Sequence, residues 1–314
     1  MNDLFTQPGK PNLAGKQASG SKAASRGSKT NTYTAKDIEV LEGLEPVRRR
    51  PGMYIGGTDE RALHHLAAEV LDNAMAAALA GHADRIEVTL NAESILTVVD
   101  NGRGIPTDPH PKYKPKSALE VILTTLHSGG KFSDKVYQTA GGLHGVGISV
   151  VNALSDSLVV EVARDRQLWR QEYSRGEAKT KLLDMGKVAN RRGTTIACHP
   201  DPEIFGAGAR FLPSRLYRMA RSKAYLFRGV KIHWRCAESL ITGKDQTPSE
   251  AVLHFPNGLA DFLAASLGDG PTVTPQAFSG RADLTEAKGE VEWAMHWPVE
   301  TDGFLHSYCN TVPT

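Results

Sequence analysis

The sequence predicts an α/β fold on three observations. Apolar residues recur every three or four positions over residues 60–80, which indicates a long amphipathic helix. Two strand patterns follow directly: apolar and polar residues alternate at 86–90, and a mainly apolar run occupies 95–100. Further helical and strand patterns are interspersed up to residue 235, as in domains that pack helices on a sheet. Later strands are predicted at residues 158–164, 167–173, 193–198 and 229–235.

The elements on either side of this central run follow from the same rules. Residues 38–47 have helical spacing that Gly43 and Pro46 interrupt, and the segment ends at Arg50-Pro51-Gly52. Residues 127–147 are rich in glycine and predict an irregular loop. Further helices are predicted at 117–126, 147–155, 213–226 and 259–267, and further strands at 291–297 and 303–312.

The composition excludes several classes of protein. Apolar residues make up 40% of the 314 positions and charged residues 23%, as in ordinary soluble proteins. No stretch approaches the roughly 18 apolar residues of a membrane span, and the first 32 residues lack the apolar segment of a secretory signal. Three widely spaced cysteines favour reduced thiols over a disulfide framework. We therefore expect a cytoplasmic protein without a membrane partner.

Three regions are predicted along the chain. Residues 1–32 are rich in Gly, Ser, Ala and Lys and carry a net charge of +4, so the rest sums to −2 within the total of +2. We expect a disordered basic tail, either simply solvated or weakly attracted to DNA phosphates. By composition, the folded part is not a basic nucleic-acid-binding surface. The polar segment 237–250 marks a boundary between a first domain at 33–246 and a short, incomplete second domain at 247–314.

The first candidate site residues lie on the helix predicted at 60–80. Glu69 and Asn73 are four residues apart and share one helix face. A carboxylate can deprotonate a water molecule, and an amide oxygen can take one position around Mg²⁺. The same pattern also suits an ordinary amphipathic helix with a polar edge. His65 and Glu69 share this spacing, but the absence of a third ligand in the sequence disfavours zinc.

The second candidate is Asp100, at the end of an apolar strand and before a turn containing Gly102 and Gly104. A carboxylate in such a half-buried crevice can accept a hydrogen bond from an exocyclic amine, such as N6 of adenine. Asn101-Gly102 is also simply a common turn sequence.

The third candidate is the run from Gly141 to Gly147, which leads into a helix. Glycines let the backbone approach a phosphate, and helix N-terminal N–H groups attract anions. Ile148 occupies the lysine position of a P-loop, and the glycine order differs from the dinucleotide-binding fingerprint. A loop without a ligand remains the alternative.

Together the three groups resemble the Glu-x-x-x-Asn, Asp-x-Gly-x-Gly and Gly-x-x-Gly-x-Gly boxes of the Bergerat-fold ATPases of the GHKL group. The runs Arg50–Gly56, Leu126–Phe132 and Gly141–Leu154 resemble the B subunits of bacterial type IIA topoisomerases, which are DNA gyrase and topoisomerase IV. The run from Tyr137 to Ser149 favours topoisomerase IV. The resemblance covers residues 33–314. It implies a two-layer α/β sandwich with a mixed, largely antiparallel sheet, followed by part of an α/β transducer domain.

The resemblance also assigns roles to matching positions, with ATP and Mg²⁺ as cofactors. Glu69 would be the general base for the attacking water, and Asn73 would bind Mg²⁺. Asp100 would accept from adenine N6, while Gly104 and Thr194 would share a water near the ring. Ile105 and Pro106 would wall the adenine pocket near Arg103 and Arg170, Tyr137 would contact the nucleoside, and Tyr33 would reach the nucleotide of a partner copy. Lys131 and the backbone of Leu143, His144, Gly145, Val146 and Gly147, after Gly142, would hold the phosphates.

The function implied is an ATP-driven clamp: two copies dimerise on ATP, capture double-stranded DNA, and reset on hydrolysis. An A-type topoisomerase subunit and aminocoumarin-like inhibitors are further implied partners. Two departures matter. Ala76 and Ala77 stand where the family usually has Asp-Glu, so Arg103 loses its usual carboxylate partner. The chain also ends before the transducer lysine that reaches the γ-phosphate, so we expect weak hydrolysis.

Two alternatives stay open. One is a clamp that binds ATP and dimerises without turnover. The other is a GHKL ATPase of the mismatch-repair or chaperone type, against which the segment Leu126–Lys131 argues.

Overall fold

The computed structural model describes residues 34–129, 145–243, 246–284, 289–299, 303–309 and 312–314. The chain divides into two units, Met1–Val40 and Leu41–Thr314. In the first unit, a 3₁₀ turn at Ala35–Asp37 is capped by Thr34, whose backbone N–H donates to the Asp37 carboxylate at 2.7 Å. The tail predicted at residues 1–32 lies outside the described residues.

The second unit contains helices and strands in alternation. The helices are α1 (Glu45–Arg49), α2 (Gly52–Ile55), α3 (Glu60–Leu79), α4 (Ala118–Thr124), α5 (Gly147–Ala153), α6 (Pro202–Phe205), α7 (Pro213–Leu226) and α8 (Leu259–Leu267). The strands are β1 (Arg85–Leu90), β2 (Leu96–Asp100), β3 (Ser155–Arg164), β4 (Gln167–Ser174), β5 (Glu177–Ala178), β6 (Leu183–Lys187), β7 (Gly193–Pro200), β8 (Lys231–Cys236), β9 (Glu250–His254), β10 (Phe278–Leu284), β11 (Gly289–Met295), β12 (Tyr308–Cys309) and β13 (Val312–Pro313).

Among the described residues, nine strands form one sheet in the order β5-β4-β3-β7-β2-β1-β8-β9, with β6 paired to β4. β1 and β8 are parallel, and the other neighbouring strands of this part of the sheet pair in antiparallel fashion. The sheet is therefore mixed and largely antiparallel, which confirms the predicted fold class. β10 pairs with β11 and β12 with β13 in two small separate sheets.

The core lies between the sheet and the helices. α3 packs against α5, α7 and β2, while α5 packs on β3 and α7 on β8. Side chains of this layer are fully buried because the strands alternate apolar residues inward with polar residues outward. Examples from helix and sheet are Leu66, Val70, Val160, Ile196 and Trp234.

Local sequence explains the bounds of α3. Asp59 caps its start by accepting from the Ala62 N–H at 2.9 Å. Gly81 follows its end with a φ of +71°, a left-handed conformation that glycine adopts without steric cost. Within the described part of the chain, no helix has the length and apolar character needed to cross a bilayer.

The C-terminal elements differ most from prediction. The strand predicted at 303–312 is reduced to the short pair β12 and β13, and Leu305 is 90% exposed, so no buried face holds an extended strand there. β9 begins at Glu250, where the predicted boundary segment ends, and it extends the main sheet beside β8. The division into domains at residue 246 stays a prediction.

Candidate functional site

One face of α3 forms a wall of the candidate site. Glu69, Asn73 and Ala77 are spaced by four residues, so their side chains lie above one another on the same face. Eight residues of α-helix rise ~12 Å. The glycine run meets this wall at Glu69, and the Asp100 turn meets it at Ala77.

Asp100 lies at the Ala77 end. A Cβ built on Gly102 would lie 2.8 Å from Asp100 Oδ1 and 3.0 Å from the Ala77 Cβ, so the three residues are in close contact. The Asp100 carboxylate accepts hydrogen bonds from the backbone N–H of Gly102 at 2.8 Å and of Thr194 at 3.3 Å. Burial raises the pKa of Asp100 to about 6, although both N–H groups act in the opposite direction.

Two glycines allow this close packing. Gly193 precedes Thr194 on β7 with a φ of +106°, and a Cβ there would lie 1.9 Å from the Asp100 carbonyl oxygen. Gly104 has a φ of +75°, and a Cβ there would lie 2.9 Å from Val162 Cγ1. A larger residue at either position would therefore collide with the atoms packed against it. The importance of Gly193 was not predicted, because sequence alone does not bring it to Asp100.

The loop after Asp100 is tied to β7 and β3. The Ile105 N–H donates to Thr194 Oγ1 at 3.3 Å, and Arg164 Nη1 donates to the Gly104 carbonyl at 3.0 Å. Ile105 is half-buried against the core, and Pro106 is exposed. The structure thus brings Asp100, Gly104, Ile105 and Thr194 together.

Glu69 lies at the other end of the wall. A Cβ built on Gly147 would lie 1.9 Å from Glu69 Oε2, so the carboxylate rests on the glycine that begins α5. Gly145 precedes it with a φ of +62°, and Val146 lies between the two. Glu69 remains 22% exposed and so keeps access to solvent.

His65 is a site residue that sequence reasoning set aside. Its Nε2 lies 3.5 Å from Glu69 Oε1, one helical turn away. Its pKa is raised, mainly by the hydrogen bond to Glu69. The i, i+4 spacing in the sequence was the available signal, and the structure places the imidazole beside the Glu69 carboxylate.

Two arginines near the site differ in their surroundings. Arg103 is exposed and makes no ion pair within the described residues. Arg170 is engaged by Glu161 at 3.2 Å and by Glu172 at 2.9 Å. The predicted site residues that lie outside the described residues are Tyr33, Lys131, Tyr137, Gly142, Leu143 and His144.

The side chains at this site suit a metal ion that is coordinated partly by the protein and partly by a bound molecule. Among the residues the structure describes, no group of three or more His, Cys, Asp or Glu side chains could hold an ion alone. The Asn73 side chain, one turn from Glu69, makes no hydrogen bond to any described residue. Its amide oxygen is therefore available as a single hard ligand, of the kind that Mg²⁺ combines with phosphates and waters.

Comparisons with known proteins show which family the chain belongs to. Residues 58–204 match the family described as histidine kinase-, DNA gyrase B-, and HSP90-like ATPases. The chain is 60% identical over 286 residues to the B subunit of DNA topoisomerase 4 from Caulobacter vibrioides, covering 90% of this chain and 41% of that protein. It is 46% identical over 289 residues to the Escherichia coli K12 protein of the same name, covering 91% of this chain and 43% of that protein.

A solved structure shows the same fold. The 43K ATPase domain of Thermus thermophilus gyrase B, in complex with an aminocoumarin, superposes with a TM-score of 0.65 at 41% identity. The match covers 77% of this chain and 60% of that one. This chain therefore spans about two fifths of the sequence relatives it matches. Both the matched family and the relatives identify the chain as a member of the GHKL ATPases, in the group of bacterial type IIA topoisomerase B subunits.

Proposed function

We propose that this chain is the ATP-binding and hydrolysing region of a type II DNA topoisomerase B subunit, of the topoisomerase IV kind. One observation carries the proposal: two carboxylates with different surroundings, Asp100 and Glu69, lie at opposite ends of one face of α3. The separation of the ends, ~12 Å along the helix, suits an elongated ligand with an amine at one end and a reacting phosphate at the other. The names of the sequence relatives support the same assignment.

The Asp100 end would bind adenine. The carboxylate is buried, and Oδ1 already accepts two N–H groups from the backbone. An exocyclic amine can donate to the remaining lone pairs in a site of low dielectric, where such a bond is strong. Ile105 and Pro106 would cover the ring, and Gly104 and Thr194 would share a water with it.

The Glu69 end would carry the chemistry. Glu69 would accept a proton from a water held in line with the γ-phosphate. His65 would hold the carboxylate in position, and Gly147 leaves room for it beside α5. Backbone N–H groups of Gly145, Val146 and Gly147, with the residues before them and Lys131, would hold the phosphates. These donors would stabilise the negative charge that develops in the transition state.

Mg²⁺ would be bound through the amide oxygen of Asn73. When bound, this ion would neutralise charge on the phosphate oxygens. Asn73 would supply a ligand without adding negative charge, and Glu69 would stay free to act as a base.

The roles of the complete protein extend this proposal. ATP binding would join two copies of the chain, with Tyr33 reaching the nucleotide of the other copy, and the closed pair would capture a DNA segment. Other parts of the protein would join an A-type subunit in the cytoplasm. Aminocoumarin-like compounds would compete at the adenine end, since the Thermus gyrase B domain was solved with one.

A clamp that binds ATP without turnover is the second candidate. The contact of His65 with Glu69 favours it, because a protonated histidine would hold the carboxylate in an ion pair and make it a weaker base. Phosphate release measured beside the melting shift given by a non-hydrolysable ATP analogue separates the two candidates, since a shift without release is the behaviour of the clamp.

Glu69→Ala tests the proposed base. We expect turnover to fall ~10²–10⁴-fold, while the melting shift given by the analogue is retained. Glu69→Gln, which keeps the shape of the side chain, should behave alike. Glu93→Ala is a matched control, because Glu93 is exposed on the loop before β2 and makes no contact with the site. Equal turnover in Glu69→Ala and Glu93→Ala would refute the assignment.

A further inference from the structure

The segment that contains α7 has an unusual charge pattern. From Ile204 to Ala237 the chain contains eight Lys and Arg residues and no Asp or Glu. This segment contrasts with residues 33–314 as a whole, which carry a net charge of −2. An average over the surface therefore hides a strongly basic region.

The geometry of α7 sorts its side chains into two faces. Leu216, Ala220, Lys223 and Ala224 are buried and face the core. At 100° per residue, the opposite side of the helix is centred on Arg218. The residues within about 60° of that centre, over the first three turns of the helix, are Ser214, Arg215, Arg218, Arg221 and Ser222. We call these five residues the α7 basic face.

The cations of this face are only partly neutralised. Arg215 pairs with Glu60 at 3.0 Å, where both side chains are exposed. Arg218 donates from Nε to the Ser214 carbonyl at 3.3 Å, and Arg221 lies 5.1 Å from the centre of the Phe262 ring. Neither Arg218 nor Arg221 has a carboxylate partner in the described part of the chain. Both contacts fix the side chains while leaving guanidinium N–H groups free to donate.

An ordinary exposed helix mixes acidic and basic residues, because a single sign of charge repels itself. Arginines are among the groups that proteins use to contact DNA phosphates without reading sequence. Arg215 and Arg221 are six residues apart, a rise of ~9 Å. Phosphates advance ~3.4 Å per nucleotide along one DNA strand, so this face can meet two or three of them.

We propose that the α7 basic face binds the phosphate backbone of double-stranded DNA. The choice of DNA over other polyanions rests on the proposed function, in which DNA is the substrate. α7 is also linked to the wall of the nucleotide site, because its buried Lys223 contacts Asp72 of α3 at 2.6 Å. DNA on this face would thus lie one helix away from Glu69 and Asn73.

The test measures binding of a fluorescent 30-base-pair duplex to the full chain, without nucleotide, over a range of salt concentrations. In the variant Arg215→Gln/Arg218→Gln/Arg221→Gln we expect affinity at 0.1 M salt to fall at least tenfold. The slope of log K against log salt should fall by about two, which is ~0.9 for each phosphate that is no longer neutralised. Arg218→Glu is a second variant that spares the fold, since this side chain is exposed and has no carboxylate partner among the described residues.

The control variant Lys181→Gln/Lys187→Gln/Arg192→Gln removes the same charge from exposed positions elsewhere. It should retain most of the affinity, and the N-terminal tail is present in every protein compared. An equal loss in the control, or no loss in the α7 variants, would overturn the proposal. So would binding of poly-glutamate as tight as that of DNA, which would indicate an acidic protein partner instead. The melting shift given by an ATP analogue, measured on the same samples, tests the proposed function separately.

Discussion

Glu69 of α3 and Gly147 of α5 are in direct contact, and the carboxylate occupies the space where a side chain on Gly147 would be. A Cβ at residue 147 would lie 1.9 Å from Glu69 Oε2 and 2.9 Å from its Cδ. Two motifs that are far apart in the sequence therefore meet at one atom of the proposed base. The absence of a side chain at residue 147 is what allows Glu69 its position.

Gly147→Ala should displace the Glu69 carboxylate and impair hydrolysis. A misplacement of ~1 Å can reduce a rate ~10²-fold, so we expect a loss of that size in phosphate release. Gly208→Ala is a suitable control, since a Cβ there would have no atom within 4 Å. A Gly147→Ala protein that hydrolyses ATP at the normal rate would show that the position of Glu69 is not critical.

The buried carboxylate of Asp100 predicts a dependence of stability on pH. Its pKa is raised to about 6 in the folded protein, against roughly 3.9 in an unfolded chain. The folded state therefore binds this proton more tightly, and its stability falls as the pH rises from about 4 to 6. Asp100→Asn removes this penalty, so the variant should gain about 2–3 kcal/mol over the wild type at pH 7.5 relative to pH 4. Denaturant unfolding of both proteins at the two pH values measures this gain. If the free energies of unfolding of variant and wild type differed by the same amount at pH 4 and pH 7.5, the prediction would be contradicted.

Nucleotide binding should depend on pH in the opposite direction to stability, and should strengthen as the pH rises. A protonated Asp100 loses acceptor capacity toward an adenine amine, so analogue binding by the wild type should weaken as the pH falls below about 6. Asp100→Asn should bind weakly at every pH. Titration calorimetry from pH 5 to 8 measures both, and a flat profile for the wild type would exclude Asp100 as the adenine acceptor.

Local patterns predicted the elements that position the site. The helical period predicted α3, the alternation of apolar and polar residues predicted β1, and a mainly apolar run predicted β2, because each of these elements buries a regular face. The spacing of Glu69 and Asn73 on one face followed from the same helix. β6 and β10 were missed because exposed residues dominate them and leave no periodic signal.

Contacts between distant segments could not be predicted in the same way. The approach of Gly193 to Asp100 depends on the pairing of β2 with β7, and no local pattern encodes it. The contact of His65 with Glu69 could be predicted from their i, i+4 spacing. The effect of this contact depends on the other groups around Glu69, which the spacing does not reveal. The basic face of α7 emerges only when the buried side of that helix is known.

Ala77→Glu should restore a partner for Arg103. The Ala77 Cβ lies 3.0 Å from the Cβ position of Gly102, next to Arg103, so a longer acidic side chain there can reach the guanidinium. A free arginine must lose rotamer entropy when a ligand orders it, at a cost of up to ~2 kcal/mol. We expect Ala77→Glu to bind an aminocoumarin more tightly, by up to tenfold, as measured by calorimetry. Ala80→Glu is a control beyond the end of α3, and equal gains in both variants would point to a general charge effect.

The ion pair between buried Lys223 and half-buried Asp72 connects α7 to α3, the helix that carries Glu69 and Asn73. Lys223 Nζ lies 2.6 Å from Asp72 Oδ1, and the two side chains are 5% and 17% exposed. Lys223→Met leaves the half-buried Asp72 charge without this partner, which should lower the free energy of unfolding by up to ~3 kcal/mol. Asp72→Asn/Lys223→Met removes both charges and should recover most of the loss.

The same two variants separate stability from positioning. In the sequence of α3, Asp72 lies between Glu69 and Asn73. We therefore expect loss of its contact with Lys223 of α7 to shift both site residues. We expect the double variant to unfold nearly as the wild type does, yet to show a smaller melting shift with the ATP analogue. A full shift in the double variant would mean that the pair only stabilises the packing of the two helices. A double variant no more stable than Lys223→Met would mean that Asp72 is not the group left unpaired.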